Sequence, residues 1–284
     1  MVIFPNCKIN LGLRILRKRE DGFHDLETIF YPVMVKDILE LVEIHNPHSE
    51  KKERVNNTGS LRFSQTGLTI KGNPDDNLCI KAFHLLKKEF PLLPGGQIHL
   101  HKIIPMGAGL GGGSADGAFT LKLVNDYFKL NIHSEKLMDL ASQLGSDCPF
   151  FIYNKPSIAR GRGELLDPIS VDLSRYSILL ISPGIPINTA WAYSMISPSV
   201  QGASLEKIIQ KPIHEWKNEL LNDFEKPVFR QFPEIKKIKE ELYSQGALYA
   251  SLTGSGSTVY GIFSKNKLPD GLFTLENYRI DSIP

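Results

Sequence analysis

The clearest pattern of hydrophobic and polar positions lies near the start of the chain. From Lys8 to Arg17, apolar residues fall on every second position, the spacing of a β-strand whose side chains alternate between two faces. The apolar set is Ile9, Leu11, Leu13 and Ile15, and the polar set is Lys8, Asn10 and Arg14. The pattern predicts a strand with one buried face, and it places Lys8 and Asn10 side by side on the opposite surface.

The rest of the first half reads as short strands followed by helices. Strands are predicted at Ile38–Ile44, Leu61–Phe63 and Gln97–Ile104, with a polar loop at Asn46–Asn57. Apolar residues at spacings of three and four predict helices after Asp76-Asn77, from Ser114 to Leu130, and from a Ser134 cap to Gly145.

A second, smaller region begins near Ser157–Leu166. Its pattern predicts a strand at Ile178–Ser182 and a pair of strands flanking Gly254-Ser-Gly256. Helices are expected around Thr189–Ile196, Leu205–Lys211, Asp223–Arg230 and Glu234–Gln245.

The most informative segment is Pro105-Met-Gly-Ala-Gly-Leu-Gly-Gly-Gly-Ser-Ala-Asp-Gly-Ala118, with five glycines between Gly107 and Gly113. A glycine run leaves its N–H groups open to a polyanion, and the helix that follows offers its positive end. The P-loop pattern requires a lysine directly before the Ser, and Gly113 stands there instead. The dinucleotide fingerprint fits only weakly. We expect ATP phosphates here, and a flexible turn is the simpler alternative.

Composition limits the remaining classes of function. The formal net charge of the 284 residues is +2, too small to indicate nucleic-acid or anionic-membrane binding. No apolar run is long enough for a membrane helix, and the first residues lack the features of an export signal. Cys7, Cys79 and Cys148 lack metal or disulfide spacing, so we expect a cytoplasmic protein. Cys148 is a packed thiol or, less favoured, a nucleophile.

Three separated motifs resemble those of the GHMP kinase superfamily: Pro5–Leu11, Pro105–Ala118 and Leu252–Ser257. The resemblance extends to about residue 263, and further segments are similar to the branch that acts on 4-(cytidine 5′-diphospho)-2-C-methyl-D-erythritol. Those segments are Arg19–Phe30, Leu144–Phe151, Pro183–Thr189 and Asn222–Glu225.

The resemblance implies an α+β fold of two domains with the active site in the cleft between them. Residues 1–156 would form the N-terminal ATP-binding domain and 157–284 the C-terminal substrate domain. The implied reaction is ATP-dependent phosphorylation of the substrate's 2-hydroxyl, in the methylerythritol phosphate route to isoprenoids. ATP and Mg²⁺ are the implied cofactors, and no protein metal cluster is expected.

The resemblance also assigns roles to individual residues. Asp147 would be the catalytic base and Lys8 the catalytic cation; without the resemblance, a helix-end turn residue and a solvated lysine are the simpler interpretations. The substrate-binding set would be Asn10 on the diol, with Phe23, His24, Thr189 and Tyr193 around the cytosine. ATP phosphates would contact Pro105, Gly107, Ala108, Gly109, Leu110, Gly111, Gly112, Gly113 and Ser114, and Ser114 would also reach Mg²⁺.

Other functions remain open at this point. The nearest alternative is another GHMP kinase, such as a homoserine or mevalonate kinase, which the pair Phe23-His24 disfavours. A catalytically inactive nucleotide-binding regulator would lack Lys8 or Asp147, and both are present. A nucleic-acid binder is disfavoured by the near-neutral charge. The oligomeric state and the adenine pocket are not predicted, and Asn77 is only a candidate for that pocket.

Overall fold

The computed structural model describes residues 1–43, 60–198, 203–265, 267 and 279–283, so the predicted loop at Asn46–Asn57 lies outside the described residues. The strands are β1 (Val2–Ile3), β2 (Asn6–Lys18), β3 (His24–Lys36), β4 (Ile38–Glu43), β5 (Leu61–Gly67), β6 (Gly96–Lys102), β7 (Ser157–Arg160), β8 (Leu165–Pro168), β9 (Tyr176–Ser182), β10 (Tyr249–Leu252), β11 (Val259–Ser264) and β12 (Arg279–Ile283). The helices are α1 (Leu78–Glu89), α2 (Gly112–Tyr127), α3 (Ser134–Leu144), α4 (Cys148–Tyr153), α5 (Thr189–Ser194), α6 (Leu205–Ile208), α7 (Glu225–Gln231) and α8 (Pro233–Ser244).

The chain forms two compact units, each built from separate stretches of sequence. The first unit takes Met1–Asn6, Lys36–Ile104 and Gly112–Asn154, and the second takes Cys7–Val35, Pro105–Gly111 and Lys155–Pro284. The predicted boundary after residue 156 lies close to the last point at which the chain changes unit, between Asn154 and Lys155. The second unit also includes β2 and most of β3, because β3 pairs with β7 through Thr28↔Ala159 and its neighbours.

The first unit is a four-stranded sheet with helices. Its strand order is β1-β4-β6-β5, in which β4 and β6 are antiparallel and β5 and β6 are parallel. Helix α2 packs on α1 and α4, and its buried residues include Ala118, Leu121 and Val124, spaced three apart. Helix α1 begins where it was predicted to, because the Asn77 side chain accepts a hydrogen bond from the Cys79 N–H.

The second unit contains two sheets, ordered β2-β3-β7-β8 and β10-β11-β9-β12. Its core joins residues of β2, β9 and helices α7 and α8, including Leu13, Ile181, Val228 and Leu242. The predicted strand at Ile178–Ser182 and the strands flanking Gly254–Gly256 are confirmed as β9, β10 and β11. The described residues therefore have the predicted mixture of helices and sheets.

Strand β2 corrects the first prediction from the sequence. The alternation is present, but both faces are buried from Asn6 to Leu13, and Lys8 and Asn10 are only 3% and 1% exposed. Polar side chains are accommodated in an interior when their hydrogen-bonding groups find partners there, as these do. Lys8 and Asn10 therefore belong to an internal network instead of a solvated face.

Two further predictions concern cysteines and membranes. Cys7, Cys79 and Cys148 are all buried, and none of the three is in a disulfide. Within the described ranges, no helix combines the length and the apolar character needed to cross a bilayer.

Candidate active site

Three segments that are far apart in sequence meet inside the second unit. They are the start of β2, the glycine loop Pro105–Gly111 and the turn between β10 and β11. The Lys8 N–H donates to the Leu110 carbonyl at 3.0 Å, and the Thr258 N–H donates to the Ala108 carbonyl at 3.2 Å. The loop is thus held on one side by β2 and on the other by the turn.

Glycine is required at specific points of this loop. Gly107 has φ +66° and faces open space, where a side chain would meet nothing within 4 Å. Gly109 has φ +80°, and a Cβ there would lie 1.9 Å from the Thr253 carbonyl oxygen. Gly107 therefore leaves room for an approaching group, whereas Gly109 permits the contact with the turn.

The Lys8 ammonium group lies within this network. It donates to Asn10 Oδ1 at 2.6 Å and to the Gly109 carbonyl at 3.2 Å, and it lies 4.9 Å from the centre of the Phe30 ring. The Thr253 hydroxyl donates to the same two oxygens, at 3.2 and 3.1 Å. Oriented dipoles and a ring face therefore fix the position of this charge.

Asn10 orients the network instead of facing outward from it. Its Nδ2 donates to the Thr28 hydroxyl at 3.0 Å, so its Oδ1 is turned toward Lys8. Its backbone N–H donates to Thr253 Oγ1 at 3.1 Å. The contacts of Asn10 thus hold the catalytic candidate Lys8, and its binding to a substrate diol stays a prediction.

The predicted stacking residue Phe23 is on the surface. Its side chain is 53% exposed, and the Arg162 guanidinium lies 4.9 Å from its ring centre. Asp21 accepts the Phe23 N–H at 3.1 Å, which fixes the turn that carries the ring. An exposed aromatic ring held in place on one side can receive a base on its other face.

The next residue, His24, is stacked on Tyr193, with ring centres 4.9 Å apart and planes at 23°. Tyr193 in turn contacts Phe224 edge-on, with ring centres 4.9 Å apart. Burial, and to a lesser degree the charge of Lys18, lowers the pKa of His24. The neutral imidazole that results can both donate and accept a hydrogen bond, which reading a base edge requires.

Thr189 is the first residue of α5, and its hydroxyl lies 3.2 Å from the Ser255 hydroxyl. This contact ties Thr189 to the turn between β10 and β11. The second unit therefore brings together Lys8, Asn10, Thr189 and the loop through that turn, and separately pairs His24 with Tyr193.

The remaining glycines of the motif belong to the first unit and have a different role. Helix α2 begins at Gly112, so Gly113 and Ser114 lie in its first turn. A Cβ on Gly112 would lie 2.8 Å from Ile104 Cγ2 and 3.0 Å from Lys102 Nζ. Interior packing explains glycine at this position, whereas the amides of the first turn remain candidates for phosphate binding.

The thiol of Cys148 interacts with the Ser114 side chain, and burial raises the pKa of Cys148 to about 12. Such a thiol stays protonated and is a poor nucleophile. This environment supports the interpretation of Cys148 as a packed thiol.

Asp147 immediately precedes α4 and is partly buried. It lies in the turn that follows α3, and its carboxylate makes no capping hydrogen bond to α4. Asp147 belongs to the first unit and Lys8 to the second, and their catalytic pairing stays a prediction.

Several residues that shape this site were not predicted from the sequence. Asn222 lies in a quoted motif, and its Nδ2 donates to the Leu252 and Gly254 carbonyls at 2.8 and 2.9 Å, which fixes the turn after β10. Arg162, Asp37 and Lys102 carried no recognisable signal, because their partners are distant in sequence. Among the residues described, no group of three or more His, Cys, Asp or Glu is placed to hold a metal ion.

Comparisons with known proteins agree with this arrangement of motifs. Residues 77–155 match the family model of the GHMP kinases N terminal domain, and residues 204–272 match that of the GHMP kinases C terminal domain.

The chain is 49% identical over 264 residues to a 4-diphosphocytidyl-2-C-methyl-D-erythritol kinase of Bacteroides fragilis, covering 93% of this chain and 92% of that relative. A crystal structure of a 4-(cytidine 5′-diphospho)-2C-methyl-D-erythritol kinase is similar with a TM-score of 0.76 and 29% identity, over 92% of this chain and 90% of that one. The Methanococcus jannaschii mevalonate kinase is 14% identical with a TM-score of 0.66, over 99% of this chain and 97% of that one, and so shares the fold alone.

Proposed function

Because the chain belongs to the 4-diphosphocytidyl-2-C-methyl-D-erythritol kinase family of GHMP kinases, we propose that it phosphorylates the 2-hydroxyl of 4-(cytidine 5′-diphospho)-2-C-methyl-D-erythritol. The chain is an ATP-dependent small-molecule kinase. The observation that carries the proposal is the meeting of the Lys8 strand, the glycine loop and the Thr253 turn in one hydrogen-bonded network.

The reaction requires a hydroxyl oxygen to attack the γ-phosphorus of ATP as the bond to the ADP oxygen breaks. Asp147 would accept the proton of that hydroxyl, and Lys8 would offset the negative charge at the reacting oxygens. Burial of Lys8 among fixed dipoles favours this role, because a charge held in place needs no reorganisation during the reaction.

The glycine loop and the first turn of α2 would bind the phosphates of ATP. The open side of Gly107 and the first-turn amides at Gly113 and Ser114 are suited to a polyanion. Mg²⁺ would supply charge compensation at the phosphate oxygens. The Ser114 hydroxyl is the hard oxygen ligand that fits it, and phosphates and water would supply the rest, because the described residues hold no acidic metal cluster.

The cytosine would stack on the exposed face of Phe23, and neutral His24 would hydrogen-bond its edge. The exposure of Phe23 and the lowered pKa of His24 support this assignment. Tyr193 would then act chiefly by stacking on His24. A cytoplasmic location, and the absence of nucleic-acid and membrane partners, remain predictions from cysteine spacing and net charge.

The test is an ADP-release assay with 4-(cytidine 5′-diphospho)-2-C-methyl-D-erythritol, its uridine analogue, homoserine and mevalonate as separate acceptors. We expect turnover with the cytidine compound and poor turnover with the uridine analogue, whose donor and acceptor groups are reversed. Efficient turnover of homoserine or mevalonate would overturn the substrate assignment. Equal turnover of both nucleotides would remove His24 from base reading.

A further inference from the structure

Phe23 ends a turn whose backbone is held from within. The turn spans residues 19–23, between β2 and β3. The Arg19 N–H donates to the Phe23 carbonyl at 2.8 Å, and the Phe23 N–H donates to Asp21 at 3.1 Å. Asp21 also accepts from Arg19 Nε at 3.0 Å. These contacts fix the backbone of Phe23, whereas its ring is 53% exposed and needs a contact from elsewhere to be held in one orientation.

A second turn, residues 161–164 between β7 and β8, supplies that contact. It is tied to β3, because the Leu26 N–H donates to the Gly161 carbonyl at 2.7 Å. The guanidinium of Arg162, which lies in this second turn, is 4.9 Å from the centre of the Phe23 ring. Arg162 therefore reaches the ring from a neighbouring turn of the same sheet.

Glu164 shapes this second turn and holds Arg162 in it. Its carboxylate accepts the Arg162 backbone N–H at 2.7 Å and lies 3.6 Å from Arg162 Nε. Gly161 makes room for that carboxylate, because its φ is +68° and a Cβ there would lie 3.2 Å from each of the two Glu164 oxygens. One carboxylate thus contacts both the backbone and the charged head group of Arg162.

We propose that Glu164 and Arg162 are positioning residues for the cytidine substrate: Glu164 holds Arg162, and Arg162 holds the Phe23 ring in the orientation that receives the base. This inference rests on the proposed function, since that function places cytosine on Phe23. A side chain that is ordered before binding loses less conformational entropy when the ligand arrives. A guanidinium against one face of the ring supplies that order and leaves the opposite face to the base.

A second role for Arg162 would be to bind the diphosphate of the substrate directly. Its pairing with Glu164 favours the positioning role, because a carboxylate beside the guanidinium repels an approaching phosphate. The two roles differ in one measurable way. A residue that acts through the Phe23 ring loses its effect when the ring is removed, whereas a residue that binds phosphate keeps its effect.

The first experiment is a double-mutant cycle on the KM for the cytidine substrate, with the native protein, Arg162→Ala, Phe23→Ala and the double variant. Arg162→Ala should raise this KM about two- to five-fold in the native background and by less than about two-fold where Phe23 is already alanine. In Arg162→Ala, kcat and the KM for ATP should stay near their native values. An equal rise in both backgrounds, no rise in the native background, or a parallel fall in kcat would overturn the proposal.

The second experiment tests the step from Glu164 to Arg162. Glu164→Ala should raise the same KM by about two-fold or more, and it should have no further effect in the Arg162→Ala protein. Asp167→Ala is the matched control and should leave this KM unchanged, because Asp167 is an exposed carboxylate of β8 that pairs with Arg160. A native KM in Glu164→Ala, or an effect that persists without the Arg162 side chain, would refute the role of Glu164.

These outcomes separate the positioning role from the proposed function. Absence of turnover of the cytidine substrate by the native protein would refute the proposed function, and the positioning role would fall with it. Turnover by the native protein, with an effect of Arg162 that does not depend on Phe23, would refute only the positioning role. Turnover with the expected dependence on Phe23 would support both.

Discussion

Two lysines are buried among the residues that the structure describes, and their surroundings differ. Lys102 in the first unit is held by two carboxylates, whereas Lys8 in the second unit donates to an amide oxygen and a peptide carbonyl and lies over a phenylalanine ring. Removing a charge that neutralises other buried charges leaves those charges unpaired. The two contacts of Lys8 named above are with neutral oxygens, so the two positions should respond differently to the same substitution.

The largest expected effect is on folding stability, in Lys102→Met. The substitution leaves Asp37 and Asp116 without their common partner, and we expect a loss of about 3–5 kcal/mol in the free energy of unfolding. Lys8→Met is the comparison: it removes donor contacts with the neutral oxygens of Asn10 and Gly109, so we expect a smaller loss than in Lys102→Met. Urea unfolding of both variants measures the two free energies of unfolding, and equal losses would contradict this prediction.

The contrast should reverse for the rate of phosphoryl transfer. Lys8→Met removes the charge at the reacting oxygens and Asp147→Asn removes the base, so each should lower kcat by on the order of 10² or more. ATP affinity should stay within a few-fold in both. Single-turnover measurements on the folded variants test this, and near-native kcat in either one would remove that residue from the mechanism.

The glycines next to the two lysines sharpen the comparison. Gly109→Ala places a methyl group against the Thr253 carbonyl at a positive φ, and we expect a loss of about 2 kcal/mol or more together with weaker ATP binding. Gly112→Ala presses on Ile104 and Lys102 and should cost about 1–3 kcal/mol. Melting temperature and ATP affinity are measured together. Native behaviour of Gly109→Ala would mean that the loop does not need its contact with the turn.

Arg162 extends the comparison to an exposed cation. Cation–π contacts at exposed sites contribute about 0.5–1 kcal/mol, so Arg162→Ala should raise the KM for the cytidine substrate about two- to five-fold. Phe23→Ala should raise it by one to two powers of ten, as expected for loss of base stacking. Arg160→Ala is the control. Arg160 lies two residues before Arg162, and it forms ion pairs with Asp167 and Glu206 instead of contacting Phe23. If Phe23→Ala changed the KM for ATP instead, Phe23 would contact ATP and not the cytidine substrate.

The smallest effect concerns Asp116 and pH. Its pKa is raised to about 8 by burial, whereas an unfolded chain would have a value near 3.9. The native state therefore holds a proton that the unfolded state releases, so stability falls as the pH rises through this window and stops falling above the folded pKa. Asp116→Asn should gain a few degrees in Tm over the native protein at pH 8–9 and less at pH 5. Parallel Tm profiles would contradict this.

Local patterns in the sequence predicted much of this fold. Apolar spacing located the helices other than α4 and most strands, and the Asn77 cap and the helix end at Gly145 followed from residue chemistry. Each of these signals lies within a short segment of chain.

The features that were missed depend on contacts between distant residues. Lys8 and Asn10 were taken as surface residues because alternation alone cannot distinguish solvent from buried polar partners such as Thr28 and Thr253. Asp37 and Lys102 are 65 positions apart and gave no local signal. The same holds for Arg162, whose partner Phe23 lies far away in sequence, in the turn between β2 and β3.

The interleaving of the two units has a consequence for the order of synthesis. Every residue of the first unit has been made once Asn154 is added, whereas β2 and β3 lack the β7 and β8 part of their sheet until later residues follow. During translation the first unit can fold early, while residues 7–35 wait for sheet partners encoded far downstream. A fragment ending at Asn154 would expose the apolar strand β2, and the native chain passes through the same condition each time it is made.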